Sequence, residues 1–284
     1  MLVTSLKSRP AQCETSENGK EQACHQRFFL KKHLTFIALI LVFLGICGLS
    51  SQFVGFDLLK ALRDFPAGFV WFLQKFMPQA SSFDKMGTIA PALLSTVLDS
   101  VAASCTAAIL AFVCAVLGSR TVGLGGPMQF VVRAIASVFR NIPIVAWAFL
   151  LLFSFKQSEF TGYLALFLQS FGFLTRCFLE NIDEMSVGPV EALRSCGAGY
   201  LQVVSRAVIP MSITQVISWV LYMIETNIRD ATLVGMLTGT GIGFVFDLYY
   251  KSFRYDTAGL VLALVIVVVI ACETSSNYIR RRVM

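Results

Sequence analysis

Charged residues are scarce in this chain of 284 residues. Only 14% of its residues are Asp, Glu, Lys or Arg, whereas 56% are hydrophobic. A soluble domain has about 25% charged residues, so this chain has too little polar surface to coat a soluble globule of its size. The composition therefore predicts a protein with several membrane-spanning segments.

Motifs that would indicate chemistry are also missing. The sequence contains no GxxxxGK[ST], so we do not expect it to bind ATP through that phosphate-binding loop. It contains no HExxH and no CxxC pair, and its two histidines, His25 and His33, lie near the N terminus without partners for a metal site. We therefore expect no catalytic residue, no metal and no cofactor in this chain. The absence of a basic patch with interleaved aromatics gives no reason to expect nucleic acid.

Long apolar segments make up most of the chain. A transmembrane helix needs about 20 mostly apolar residues. The segments that meet this length are residues 34–52, 90–118, 138–156, 160–179, 208–226 and 257–276. The predicted fold class is all-α, a polytopic membrane protein with about six transmembrane helices.

The distribution of basic residues predicts the orientation of these helices. Lys and Arg in short loops mark the cytoplasmic side of a membrane protein. With six spans, four basic groups fall on one side: Arg27, Lys31 and Lys32; Arg120, Arg133 and Arg140; Arg194 and Arg206; Arg280, Arg281 and Arg282. Both termini are therefore predicted to be cytoplasmic.

This topology divides the chain into four parts. Residues 1–32 are predicted to form a cytoplasmic tail, partly disordered up to about residue 25. Residues 33–88 contain the first span and an outer loop of helical character, which is able to lie along the membrane surface. Residues 89–276 form the main transmembrane domain, and residues 277–284 form a basic cytoplasmic C terminus.

A moderately polar strip lies between the fourth and fifth predicted spans. Its sequence, PVEALRSCGAGYLQVVSRAVIP at residues 189–210, predicts a short helix, a turn at the glycines and a second helix that leads into the fifth span. Glycine at the turn lets another surface approach closely. The strip is either a plain interfacial loop or a segment that docks on another protein.

The spacing of this strip resembles the cytoplasmic coupling loop of ABC importer permeases, whose signature is Glu-Ala-Ala, three residues, Gly, nine residues and Ile-x-Leu-Pro. The residues assigned to this loop are Glu191, Ala192, Gly197, Ala198, Gly199 and Pro210. The sequence departs from the signature at Leu193, Ala207 and Ile209. The resemblance implies that a partner ATPase subunit, which carries ATP and Mg, receives this loop as a coupling helix.

A second segment resembles phosphonate-uptake permeases, in which Glu-x-Asn-x-Arg-x-Ala precedes a glycine-rich run. It is YMIETNIRDATLVGMLTGTGIG, residues 222–243, and its matching residues include Glu225, Asn227, Arg229, Gly235, Gly241 and Gly243. The segment RNIPIVAW at residues 140–147 resembles the start of the third span in the same family, with Pro143 as a helix start or kink. The resemblance extends over about residues 85–284.

Charged residues at membrane depth leave two interpretations open. Glu225, Arg229 and Asp230 are predicted at the outer end of the fifth span, where a charge costs about 2.5 kcal/mol or more. Glu225 and Arg229 form an i,i+4 pair that fixes the end of the helix, or Arg229 or Asn227 lines the substrate path, where arginine suits a phosphonate anion.

Two interpretations, one structural and one functional, are also open for two further sets of residues. Gly235, Gly241 and Gly243 form a re-entrant gate or allow close helix packing. In the second span we expect an inward polar face satisfied by neighbouring helices, with a proton relay as the alternative; its residues are Ser95, Thr96, Asp99, Ser100 and Ser104.

The resemblance implies a permease subunit of an ATP-driven importer of phosphonate or a related phosphorus oxyanion, in a bacterial inner membrane. It implies as partners an ABC ATPase, a periplasmic or lipid-anchored binding protein and a second permease chain, most simply a homodimer. An ion-driven secondary transporter is the alternative, but the sequence has neither a midplane ion site nor the inverted repeats expected of one. An ABC permease for another small anion is also open.

Overall fold

The computed structural model describes residues 14–123, 125–185 and 187–283, and these residues form α-helices without any strand. The helices are α1 Glu14–Val54, α2 Leu58–Phe76, α3 Met86–Gly118, α4 Gly126–Asn141, α5 Ile144–Phe155, α6 Glu159–Met185, α7 Val187–Ser195, α8 Tyr200–Val203, α9 Ile209–Thr238, α10 Gly241–Lys251 and α11 Tyr255–Val283. A 3-10 turn at Ala80–Lys85 precedes α3, and a π-helical turn at Val204–Val208 joins α8 to α9. The predicted all-α fold is confirmed.

Helix α1 extends further toward the N terminus than predicted. The chain divides into two compact units between Val70 and Trp71, and α1 belongs to the first. It begins at Glu14, so residues 14–25 are helical, whereas we predicted partial disorder there. Helical hydrogen bonding propagates readily once a helix exists, and no proline interrupts this stretch. The predicted tail before residue 14 lies outside the described residues.

The number of long apolar helices agrees with about six spans. In the described ranges, five helical segments are long and apolar enough to cross a membrane, and the bent pair α4–α5 makes a sixth if it counts as one span. The helices that contain the fourth and fifth predicted spans are longer than those spans. The first of them continues past residue 179 to Met185, and the second past residue 226 to Thr238.

The predicted third span, residues 138–156, is not one straight helix. Helix α4 ends at Asn141, α5 begins at Ile144, and their axes differ by 94°. Pro143 caps the N terminus of α5, and Ile142 before it is extended, with φ −86° and ψ 120°. Proline disfavours a helical conformation at the preceding residue, so Pro143 acts as the predicted helix start and interrupts the predicted span.

The core of the second unit lies where α3, α6 and α9 meet. Helix α3 contributes a line of alanines at four-residue spacing that are fully buried: Ala103, Ala107, Ala111 and Ala115. Residues four apart lie on one face of a helix, and small residues let membrane helices approach closely. Leu174, Phe178 and Ile182 of α6 fill the space against this face.

Candidate functional site

The strip between α6 and α9 has the predicted helix–turn–helix geometry. Helix α7 ends at Ser195, and α8 begins at Tyr200 after a short turn. Gly197 has φ +79°, a left-handed conformation that glycine adopts without strain. Its amide donates to the carbonyl of Arg194 at 2.9 Å, and the amide of Ala198 donates to the carbonyl of Leu193 at 3.1 Å. These bonds close α7 and fix the direction of the turn.

We call residues Val187–Val203 the coupling loop, because they contain most of the residues whose pattern resembles that loop of ABC importer permeases. Its side chains are mostly exposed, and in α7 and α8 the buried ones are Val190 and Val203, each 2% exposed. Both belong to the buried cluster that contains Phe178 and Ile182 of α6. The loop is therefore attached to the core from one side and presents its other side outward.

The outward side contains most of the residues assigned from the sequence. Glu191, Ala192, Gly197 and Gly199 are exposed, whereas Ala198 is partly buried against the core cluster. Sequence reasoning missed Leu201, whose side chain is 78% exposed. The helical periodicity could have identified it. Val203 and Ala207 lie four residues apart on the buried face of the helix, and Leu201 does not share that face.

A continuous helix connects this loop with the polar segment of α9. The helix runs from Tyr200 to Thr238, and its π-helical turn includes a bond from the amide of Ile209 to the carbonyl of Val204. Pro210 lies at the start of α9, as predicted.

Glu225 and Arg229 form the predicted i,i+4 ion pair. Glu225 Oε1 lies 3.2 Å from Arg229 Nη2, and the Arg229 side chain is 50% exposed against 12% for Glu225. Guanidinium has five N–H donors, so the pairing leaves others available. The pair lies inside α9 and not at a helix end, because α9 continues to Thr238.

Asn227 lies on the buried side of the same helix. It is 0% exposed, and its Nδ2 donates to Ser104 Oγ of α3 at 2.8 Å and to Ser170 Oγ of α6 at 2.7 Å. Ser100 Oγ of α3 also donates to the carbonyl of Asn227 at 3.2 Å. This network joins three helices, which favours a packing role for Asn227 over a place on the substrate path.

The glycines of the second segment lie where α10 packs on α9. A Cβ atom added at Gly243 would lie 2.1 Å from the carbonyl oxygen of Thr232, and one at Gly235 would lie 2.5 Å from that of Thr240. Such distances exclude any side chain, so close packing accounts for these two glycines. The alternative of a gate stays a prediction.

The turn between α9 and α10 depends on positive φ angles. Gly239 has φ +71° and Gly241 has φ +57°. After the turn, the amide of Ile242 donates to Thr96 Oγ1 of α3 at 2.8 Å. Thr96 thus belongs to the polar face predicted for the second span, and its partner is the first turn of α10.

Asp99 differs from the hydroxyl residues of that face. It lines a small cleft of about 20 Å³ between α3, α6, α9 and the start of α10, and Glu159 lines the same cleft. Ser100 and Ser104 are satisfied by their own helix and by α9, whereas Asp99 lines the cleft together with residues of α6 and α9. The expected inward polar face is seen at the hydroxyl residues, and for Asp99 it stays a prediction.

The long apolar helices define a class of protein: a membrane-embedded protein with an exposed loop between two of its candidate spans. The chain belongs to the family of binding-protein-dependent transport system inner membrane components, whose model matches residues 107–283. The prediction of a transport component and not an enzyme is thereby confirmed. The family name also implies a separate binding protein.

Three curated relatives are permeases of phosphorus compounds. The phosphate-import permease PhnE of Mycolicibacterium smegmatis is 28% identical over 204 residues, 72% of this chain and 38% of that protein. The phosphite transport permease PtxC of Stutzerimonas stutzeri is 28% identical, over 66% of this chain and 69% of the relative. A putative cryptic phosphonate transport permease of Escherichia coli, PhnE2, is 33% identical over 42% of this chain and 97% of the relative. The alignment thus spans less than half of the first of these relatives.

Solved structures share the fold. An inward-facing MetNI methionine ABC transporter gives a TM-score of 0.58 at 20% identity, covering 68% of this chain and 96% of that chain. A bacterial ABC transporter for import of the polysaccharide alginate gives 0.57 at 14% identity, covering 78% and 97%. At such identities the likeness concerns the fold alone.

Proposed function

We propose that this chain is the permease subunit of an ATP-driven ABC importer and forms the transmembrane path for a phosphonate or a related phosphorus oxyanion. The observation that carries the proposal is the coupling loop. Gly197 keeps a tight turn at φ +79° without any atom near its missing Cβ, and Leu201 beside it is exposed. An exposed apolar residue next to a turn that no other part of the chain covers is suited to insertion into a groove of another protein.

The proposed assembly contains two copies of this chain, two ATPase subunits that bind ATP and Mg, and an outer binding protein. Both termini and the coupling loop lie on the cytoplasmic side in this arrangement. ATP-driven closure of the ATPase subunits moves the loops, and the attached helices switch access from outside to inside. This chain binds no nucleotide itself.

Two features support the substrate class. The curated relatives are named for phosphate, phosphite and phosphonate transport. Arg229 offers a half-exposed guanidinium within a long apolar helix, and arginine contacts phosphorus oxyanions through two parallel N–H donors. Glu225 pairs with the guanidinium while half of the Arg229 side chain stays exposed, which leaves N–H donors for an anion.

Uptake of labelled 2-aminoethylphosphonate tests the proposal, in cells with the gene, without it, and with the gene restored as Gly197→Asp. We expect uptake to need the gene and the partner ATPase and to withstand excess phosphate. Gly197→Asp should lower uptake at least tenfold, because the new side chain lies in the docking surface. Gly55→Asp is the matched control, since Gly55 is equally open and also has a positive φ, +67°, but lies directly after α1.

Other outcomes separate the alternatives. Uptake of phosphite or phosphate, but not of the phosphonate, would mean that the substrate is a different phosphorus oxyanion. Uptake that persists without the ATPase gene and depends on an ion gradient would refute the ABC mechanism in favour of a secondary transporter. Normal uptake by Gly197→Asp would refute the assignment of the coupling loop.

A further inference from the structure

We infer that Asp183 is a positioning residue that transmits movement of the coupling loop to α3 and to the bent pair α4–α5. This inference rests on the proposed ATP-coupled function and adds a second point of transmission to it. Asp183 lies in the last turn of α6, shortly before α7 begins at Val187.

The carboxylate of Asp183 is shared by two neighbouring elements. Its Oδ1 accepts hydrogen bonds from Ser119 Oγ and from the amide of Arg120, both at 2.8 Å. Its Oδ2 accepts from Arg133 Nη2 of α4 at 2.6 Å. One side chain thus connects the end of α6 with the end of α3 and with α4; we call this set the Asp183 clasp.

Ser119 makes the turn after α3 a fixed partner for the clasp. It is the C-cap residue of α3 and is 0% exposed. Its carbonyl accepts from the amide of Gly123 at 3.0 Å and from Gln129 Nε2 of α4 at 3.1 Å. The turn therefore moves together with both helices and with the carboxylate that holds it.

The ion pair in the clasp is largely withdrawn from solvent. The side chains of Arg133 and Asp183 are 21% and 19% exposed, and Arg133 Nε is a buried donor with no partner among the described residues. Removing one partner of a buried pair leaves an uncompensated charge. The clasp therefore resists separation of α6 from α4.

A shared apolar cluster also includes a residue of the same turn. Val190 of α7 and Val122 of the turn belong to one buried cluster. Displacement of α7 thus reaches the α3–α4 turn through apolar packing as well as through the end of α6. From there α4 leads to the 94° bend, and α5 beyond it packs Ile144 and Ala148 against Ala103 and Leu166.

The same helix contains a natural control. Arg176 and Glu180 of α6 also form an ion pair, with Nε and Oε1 2.5 Å apart and side chains 33% and 52% exposed. Both residues belong to one helix, so this pair connects no two elements. Exposed pairs of this kind contribute little, so Glu180→Gln changes charge near the clasp without touching it.

The test uses the purified complex with its ATPase partner, in lipid. The chain has its eight native cysteines replaced and carries one reporter, Ser154→Cys, at an exposed position near the end of α5. Maleimide labelling of the reporter is timed with and without a non-hydrolysable ATP analogue. This readout needs no knowledge of the substrate.

We expect Asp183→Asn and Arg133→Ala each to reduce the nucleotide-dependent change in labelling rate at least fivefold, while ATPase activity and co-purification stay within twofold of the parent. The amide that replaces the carboxylate in Asp183→Asn keeps an oxygen for Ser119 and removes the charge that holds Arg133. Glu180→Gln should leave labelling and hydrolysis unchanged.

A full nucleotide response in Asp183→Asn overturns the inference. So does loss of the assembled complex in that variant, because Asp183 would then serve folding and not transmission. A parent complex whose labelling ignores nucleotide refutes the ATP-coupled function itself, and the clasp with it, which distinguishes the two failures.

Discussion

Asn227 and Arg229 lie two positions apart on α9, yet one is fully buried and the other is half exposed. Successive residues are separated by about 100° around a helix, so residues two apart face nearly opposite directions while Glu225 and Arg229 share a face. The buried amide joins α3, α6 and α9, and the exposed guanidinium is available to a ligand. The two residues should therefore respond differently to substitution.

We expect Asn227→Ala to lower the free energy of unfolding by about 1–3 kcal/mol, because two buried hydroxyls lose their partner. The KM of the folded fraction of this variant should stay unchanged.

Arg229→Gln should show the reverse, with unchanged stability and a KM for the oxyanion raised about tenfold. Thermal unfolding in detergent and uptake kinetics measure the two effects. Equal effects of both variants on KM would contradict the division of roles.

The sequence allowed part of this to be predicted. The pairing of Glu225 with Arg229 followed from their spacing and is confirmed. The burial of Asn227 was available from the same periodicity, but the family-like motif drew all three residues into one site. The position of Asp183 was not available, because its partners Ser119 and Arg133 are distant in sequence and no periodic pattern connects them.

Helix α6 crosses α4 at a glycine, where the absence of a side chain lets the two backbones come close together. A Cβ atom at Gly172 of α6 would lie 2.6 Å from Phe139 Cβ and 2.7 Å from the amide nitrogen of Arg140, at the end of α4. The backbone of α6 therefore lies directly against the last turn before the bend. A side chain at position 172 should therefore displace the whole of α4.

We expect Gly172→Ala to destabilise the folded chain by about 1–3 kcal/mol, the range for overpacking, because the backbone of α4 has no room to yield. Thermal unfolding measures the change. Gly87→Ala provides the comparison, since no atom lies within 4 Å of its missing Cβ. Equal stability of the two variants would mean that α4 moves freely away from α6.

Hydropathy alone was insufficient to locate the bend between α4 and α5. The apolar run through residues 138–156 satisfies the length of a span, and proline within an apolar run is compatible with a kinked membrane helix. The separation into two helices is instead visible in two contacts. Helix α6 crosses α4 at Gly172, and the ring of Trp147 of α5 packs at a tilt against Phe139 of α4, with centroids 5.2 Å apart. These contacts join residues from different elements, which local patterns do not encode.

The topology of the whole chain depends on whether the bent pair crosses the membrane. If it does, residues 123 and 157 lie on opposite sides, and six crossings place both termini in the cytoplasm. We expect a reporter enzyme fused after Gly123 to report the cytoplasm, one after Gln157 the outside, and one at the C terminus the cytoplasm. The basic residues Arg120, Arg133 and Arg140 provide the physical reason.

Reporters on the same side at residues 123 and 157 would contradict this topology and leave five crossings, with Arg280 to Arg282 outside. At this scale the sequence predicted the all-α fold and the approximate number of spans, because both follow from long apolar runs. It did not predict the arrangement of α3, α6 and α9, since that depends on small residues such as Ala103 and Ala107, which also occur in lipid-facing helices.

The unbroken helix from Tyr200 to Thr238 constrains the length of the chain itself. Asn227 fixes the rotation of this helix within the bundle, because its amide is held between Ser104 and Ser170. Inserting or deleting one residue between Leu201 and Asn227 would rotate Leu201 by about 100° and shift it by about 1.5 Å. Surface connections usually tolerate such changes in length, but here a single residue decides which way the coupling loop faces.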